Sequence, residues 1–166
     1  MPLARVETFC NSARFLHGED AFGDVPSARE WLAAHGMAVR GMGEADLSRL
    51  VEAREAIRDH LGGETPDALN RYARRVLAGP EWTSEGQAVI RPRARGGADG
   101  LIGELLAILF MADLAGETTR LKPCRSGECR WIFYDRSPGR NSIWCSMEIC
   151  GARHKMRAYR ERRTAT

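Results

Sequence analysis

Four cysteines near the C-terminus set the chemistry available to this chain. Cys124 and Cys129 form one C-x4-C pair and Cys145 and Cys150 a second, with fifteen residues between the pairs. Zinc prefers a tetrahedral shell of soft thiolates, and two short cysteine turns brought together supply it without a distant ligand. A spacing of four lies at the wide end of the usual range, so each turn should be a longer knuckle than in an ordinary zinc ribbon. The expectation is one structural Zn2+ on Cys124, Cys129, Cys145 and Cys150. Two disulfides or four unrelated buried thiols are the competing readings. Residues 1–7 show no apolar stretch before a small-residue cleavage site, so the chain is expected in a reducing cytoplasm, where cysteine clusters mean metal or catalysis. Cys10 lies far away in an apolar stretch, as a buried small hydrophobe would.

Catalysis finds little support in the residue types. A catalytic zinc keeps an open position for water, whereas four thiolates close the shell. His17, His35, His60 and His154 show no metal-ligand spacing, and Gly41-Met42-Gly43 lacks the third glycine and the preceding strand of a dinucleotide loop. His154, four residues beyond Cys150, is the one histidine able to replace a cysteine ligand. No enzyme is expected. A redox sensor that ejects zinc when its thiolates oxidise is a third reading.

Charge points toward nucleic acid. From Arg120 onward there are 12 Lys and Arg against 4 Asp and Glu, a net +8, while residues 1–119 carry 13 against 18, a net −5. A small basic module on an acidic body is one footprint of a nucleic-acid binder. At 100° per residue, Ala152, Met156 and Tyr159 share a stripe on a helix after Gly151, with Arg153, Arg157 and Arg160 on one flank and Lys155 and Arg162 on the other. The seam should dock on Trp131 or Trp144 while the basic side chains project toward phosphates. Arg153 and Arg157, near the metal-fixed end, are the better placed for bases. Arg140 adds to a basic face. The bland alternatives are a basic surface kept for solubility and arginines salt-bridged to the acidic body.

The elements that position these groups follow from periodicity. At 166 residues the chain holds one ordinary domain and a small metal-stapled module. Its longest apolar run, Leu105 to Ala112, is too short to span a bilayer. The segment 3–16 is ambiguous. Pro26-Ser27 opens a short helix through Trp31 and Leu32 that stops near Gly36. Leu47, Leu50, Val51, Ile57 and Leu61 mark a longer helix ending at Gly62-Gly63, and Thr65-Pro66 opens another carrying Leu69, Tyr72, Ala73 and Val76. These two should pack antiparallel. Alternation between Glu81 and Arg95 around Glu85-Gly86 predicts a hairpin. Asp99 should cap a final helix, Leu101 to Leu114, apolar nearly all round and the core of the body. Leu121-Lys122-Pro123 leads into Cys124 without a long linker, so the zinc module should sit docked. Between the cysteine pairs, Trp131 and Phe133 suggest a strand, Ser137-Pro138-Gly139 a turn, and Ser142 to Trp144 a second strand. Asp135 and Ser137 read as turn formers, and Trp131 and Trp144 as a small core.

The run Cys124, Cys129, Trp131, Phe133, Asp135, Ser137, Arg140, Trp144, Cys145, Ser146, Met147, Cys150, Gly151, Arg153, Lys155 resembles the CGNR zinc finger. It departs at Ala152, where that family has asparagine, which touches the start of the helix more than the ligands. Phe9-Cys10-Asn11-Ser12 and the Trp31-Leu32 helix are similar to the ABATE domain that accompanies this finger. The two resemblances imply a bacterial transcription regulator with a DNA-binding finger.

The fold class expected is α+β: a mostly helical part with a short β-hairpin over residues 1–119, then a zinc-stapled hairpin and basic helix over residues 120–166. DNA is the expected partner, through Arg140, Arg153, Lys155, Arg157 and Arg160. A homodimer and a small-molecule effector of the body are further expectations, and no membrane is involved. The alternative is a zinc-stapled protein-interaction or RNA-binding adaptor.

Overall fold

The computed structural model describes residues 2–164. The ambiguous start resolves into helix α1 (Leu3–Cys10), which buries Leu3, Val6, Phe9 and Cys10 on one face. Strand β1 (Ala13–Arg14) then pairs antiparallel with β2 (Glu19–Asp20) around the single turn Phe15–His17. Helix α2 (Val25–Ala34) begins where Pro26 and Ser27 foretell, because the Asp24 carboxylate accepts the Ser27 N–H at 2.8 Å and caps it. Helices α3 (Glu44–Leu61) and α4 (Asp67–Val76) form the expected antiparallel pair, with the Tyr72 hydroxyl donating to Glu52 at 2.8 Å. The predicted hairpin is β3 (Glu81–Trp82) against β4 (Ala88–Val89), turned by Gly86 at φ 78°.

Helix α5 (Gly97–Leu114) forms the core of the body. Leu101, Ile102, Leu105, Leu106 and Leu109 are buried where α5 meets α1, α3 and α4. Close approach is needed at Gly103, where a Cβ would lie 2.8 Å from Pro92 Cβ and 3.1 Å from the Val76 carbonyl. One expectation changes here. Asp99 is not the cap: the helix starts at Gly97 after the extended Gly96, and Asp99 lies inside the first turn, paired with Arg75 at 3.0 Å. A carboxylate is favourable there because the first-turn N–H groups carry partial positive charge. The helix is apolar nearly all round as expected, and its end reaches solvent, where Leu114 is 71% exposed beside the half-exposed Phe110 and Met111.

The C-terminal segment docks as its short connection predicts, against α1 and α3. Leu121 and Ile132 are buried within the same apolar core as α5. Asn11, at the end of α1, donates to the Ile132 carbonyl at 2.7 Å and accepts the Ile132 N–H at 2.9 Å, so one amide side chain pairs like a strand. Arg58, on the buried face of α3, donates to the carbonyls of Cys10 and Arg130, the latter at 2.5 Å. Its guanidinium lies 4.8 Å from the Phe15 ring centroid, and that of Arg130 lies 5.3 Å away. These contacts tie the exit of the first cysteine turn to the body.

Candidate metal centre

The first knuckle is itself a hairpin loop. Strand β5 (Leu121–Pro123) pairs antiparallel with β6 (Ile132–Tyr134) in the register Leu121↔Tyr134 and Pro123↔Ile132. Cys124 N–H donates to the Trp131 carbonyl at 2.8 Å, and the N–H groups of Cys129 and Arg130 both turn onto the Ser126 carbonyl. The strand predicted over Ser142–Trp144 is therefore not the partner of 132–134. A C-x4-C turn can close a hairpin alone, so its flanks pair with each other. The 142–144 stretch instead runs as irregular chain, with the Ile143 carbonyl accepting from Arg125 N–H at 2.9 Å.

The second knuckle leads directly into the basic helix. The N–H groups of Cys150 and Gly151 both reach the Ser146 carbonyl, which makes Met147–Gly151 a single π-type turn, and helix α6 (Ala152–Thr164) continues it. The Ser146 hydroxyl caps the turn by accepting the Ile149 N–H at 3.2 Å. Gly151 is buried with little room, because a Cβ there would lie 3.0 Å from Met147 Sδ and 3.4 Å from Trp144 Cδ1.

The four ligand atoms of Cys124, Cys129, Cys145 and Cys150 lie within 4.8 Å of one another. Cys129 Sγ and Cys145 Sγ are 3.7 Å apart, as are Cys145 Sγ and Cys150 Sγ. A disulfide needs about 2.05 Å. Zinc–sulfur bonds of about 2.3 Å in a tetrahedron place sulfurs about 3.8 Å apart, so the spacing fits one Zn2+ and excludes crosslinks. Burial pushes the Cys150 thiol up to about 12 and raises Cys145 as well. Burial also acts to raise Cys124, but hydrogen bonds with the backbone of Cys145 and Ser126 outweigh it and hold that thiol below its ordinary value. Four crowded thiols lose their protons readily only against a cation, so thiolates and metal arrive together. His154 is not among them; its ring lies tilted against Trp144, centroids 5.0 Å apart.

Around the sulfurs, Trp131 and Trp144 pack as the expected small core, joined by Leu16 from the Phe15–His17 turn. Asp135 proves more than a turn former. Its fully buried carboxylate accepts from Lys122 Nζ at 2.8 Å, Ser137 Oγ at 2.6 Å, and the N–H groups of Ser137 and Ser142 at 2.9 and 3.0 Å. The Lys122 ammonium, then Ser137, hold its carboxyl well below the usual carboxylate range. Asp135 thus joins β5, β6 and the approach to the second knuckle.

Arg153, Lys155, Arg157 and Arg160 all lie exposed on α6, and Arg140 lies exposed on the Ser137–Asn141 turn in a left-handed conformation, φ 50°. The apolar seam of α6 does not dock on the tryptophans. Met156 is 51% exposed and Tyr159 48%, and with Ile149 and Ala152 the former lines an open groove of about 620 Å³. Trp144 meets His154 instead, in a tilted contact at 5.0 Å. Arg157 and Arg153 pair with Glu128 at 2.8 and 3.4 Å, an acid of the first knuckle and not of the body.

Sequence reasoning missed Arg54 and Arg58, both fully buried on α3. The signal was present, because Leu50, Arg54, Arg58 and Leu61 follow helical spacing on the face that buries Leu47 and Ile57. Arg54 forks onto Asp20 at 2.7 and 2.8 Å and reaches Ser12 at 3.0 Å. Glu128 carried no signal of its own, and Asn11 stood out only within the Phe9-Cys10-Asn11-Ser12 segment, without its role at Ile132. Cys10 is fully buried, as expected.

Two cysteine knuckles closing a four-thiolate shell, hung on a helical body and followed by a basic helix, define a zinc-finger protein without an open catalytic metal position. Residues 120–163 match the model of the CGNR zinc finger, and residues 4–117 match the ABATE model, described as "Putative stress-induced transcription regulator". The chain belongs to the ABATE family and carries one structural zinc in its CGNR finger. No curated protein matches it.

Proposed function

We propose that this is a cytoplasmic, zinc-dependent DNA-binding transcription regulator, with residues 1–119 as a sensing or dimerising body and residues 120–166 as the DNA-contacting finger. The observation that supports it is the pairing of a metal-fixed helix start with exposed cations. Arg153, Lys155, Arg157 and Arg160 project from α6 directly after the second knuckle, on a module of net +8. Phosphate contact needs only charge and reach, and Arg140 adds a fifth cation from the neighbouring turn. Base contacts fall to Arg153 and Arg157 at the rigid end. One short helix offers few contacts, so a two-fold copy would double them. An apolar groove of about 400 Å³ lined by Leu3, Ile90, Ile108 and Met111 supports an effector or dimer role for the body. Among the described residues, no helix is long and apolar enough to cross a membrane.

The test is a salt titration against a selected duplex with bulk competitor. DNA binding predicts affinity falling steeply with salt, by a log–log slope of about −0.9 per phosphate neutralised, and weakened by Arg153→Ala or Arg157→Ala. A zinc-loaded, folded protein that binds no duplex at low salt would sink this reading. The exposed stripe of Met147, Ile149, Met156 and Tyr159 then favours the second one, a protein-interaction adaptor in which zinc serves only folding. Retention of single-stranded RNA in the same titration would identify an RNA-binding adaptor instead.

A further inference from the structure

The first knuckle carries one acid, Glu128, directly before the ligand Cys129. Its carboxylate lies 2.8 Å from the Arg157 guanidinium and 3.4 Å from that of Arg153. Those two arginines are four residues apart and share a face of α6, so they converge on one oxyanion. A carboxylate and a phosphodiester present the same kind of oxygen to a guanidinium, and two arginines that each hold one oxygen suit either. All three side chains are more than half exposed, at 53%, 63% and 54% for Glu128, Arg157 and Arg153. Beside them opens a polar pocket of about 280 Å³ lined by Arg125, Ser126, Trp144, Arg153 and His154, and Gly127 leaves its rim clear of neighbouring atoms. The zinc fixes both sides of the pairing, since Glu128 adjoins one ligand and Arg153 lies three residues past another.

We propose that on duplex of any sequence Arg153 and Arg157 form a seat for the phosphodiester oxygens, turning to base edges only at a specific site, and that Glu128 fills this seat when no DNA is bound. The proposal rests on the DNA-binding reading above and adds an internal competitor to it. Exposed ion pairs are weak and screened by salt, so Glu128 yields to a polyanion. A duplex presents one charge per about 1.7 Å of its axis, and neighbouring phosphates engage Lys155, Arg160 and Arg140 while one takes the seat. A lone anion brings no such neighbours and does not displace the carboxylate. The finger therefore discriminates a continuous phosphate backbone from free phosphate.

A mutant cycle on zinc-loaded full-length protein, read by fluorescence anisotropy with a random-sequence duplex at low salt, tests this. Glu128→Gln should bind roughly three- to tenfold tighter than the parent, the gain expected from removing two exposed ion pairs. In the Arg153→Ala/Arg157→Ala background the same Glu128→Gln change should give no gain, because the competed partners are gone. An equal gain in both backgrounds would show a long-range charge effect and overturn the seat. No gain in either, with duplex still bound, would overturn the competition. Failure of both the parent and Glu128→Gln to bind any duplex would remove the DNA reading together with this inference. Zinc content of one equivalent in each variant separates these outcomes from misfolding.

Discussion

The helical body and the zinc finger reach a fixed structure by opposite means. The body buries a continuous apolar core around Ile102, Leu105 and Leu109 of α5, and carries a net −5. The finger lends Leu121 and Ile132 of its two three-residue strands to that core, and holds the rest with four sulfurs, two half-buried tryptophans and the buried carboxylate of Asp135, in a net +8. Apolar burial needs length, which the finger lacks; metal and directed hydrogen bonds need only a few residues in the right places. The finger also leaves its surface free for arginines, because little apolar area must be covered.

The largest expected effect comes from breaking the finger alone. Structural zinc contributes roughly 10–16 kcal/mol in small finger peptides. Cys145→Ser, or a strong chelator, should remove the metal and erase amide protection in β5, β6 and α6, while α1 to α5 keep theirs. Loss of protection throughout would show one cooperative unit and dissolve the contrast. Zinc affinity should also fall as pH is lowered. Burial raises Cys145 and Cys150, the latter to about 12, so their protons compete with the metal. The converse test lies in the body. Leu105→Ala should cost about 2–5 kcal/mol in denaturant unfolding because its site is fully buried, with zinc stoichiometry unchanged.

The same contrast explains what could be read from the sequence. Helices α2 to α5 were legible because burial imposes a 3.6-residue period on Leu47, Leu50, Ile57 and their like. The metal site was legible because two C-x4-C pairs need no other context. The path of the finger's chain was not: a strand over Ser142–Trp144 looked reasonable from its apolar residues, but the knuckle closes its own hairpin and leaves that stretch to Asp135 and Arg125. The seam of Ala152, Met156 and Tyr159 has the right period and still finds no surface beneath it, because periodicity says which residues share a face and not what the face meets. Long-range polar contacts were the least visible. Asn11 and Ile132 are 121 residues apart in the chain, and neither residue type announces the other.

That joint is the next place to press the comparison. Asn11→Ala would leave the N–H and carbonyl of the fully buried Ile132 without partners, at about 1–3 kcal/mol for each group stranded. Protection should fall first in β5 and β6, with α3 and α5 nearly unchanged. A uniform decrease across all helices would mean that body and finger share stability through this amide more than through the metal.

The smallest effect concerns Ala152, where the CGNR pattern has asparagine. Its backbone is helical at φ −65° and ψ −43°, at the junction of the π-type turn and α6, and its side chain faces the open groove with Ile149 and Met156. The turn's own cap is already supplied by Ser146, so an asparagine side chain here would have no vacant N–H to satisfy at Ile149. Asparagine is also a poorer helix former than alanine by about 0.5 kcal/mol. Ala152→Asn should therefore lower the melting temperature of the finger slightly and leave zinc content unchanged. A rise in stability would mean that the asparagine finds a partner across the knuckles, and that Ser146 does not complete the cap alone.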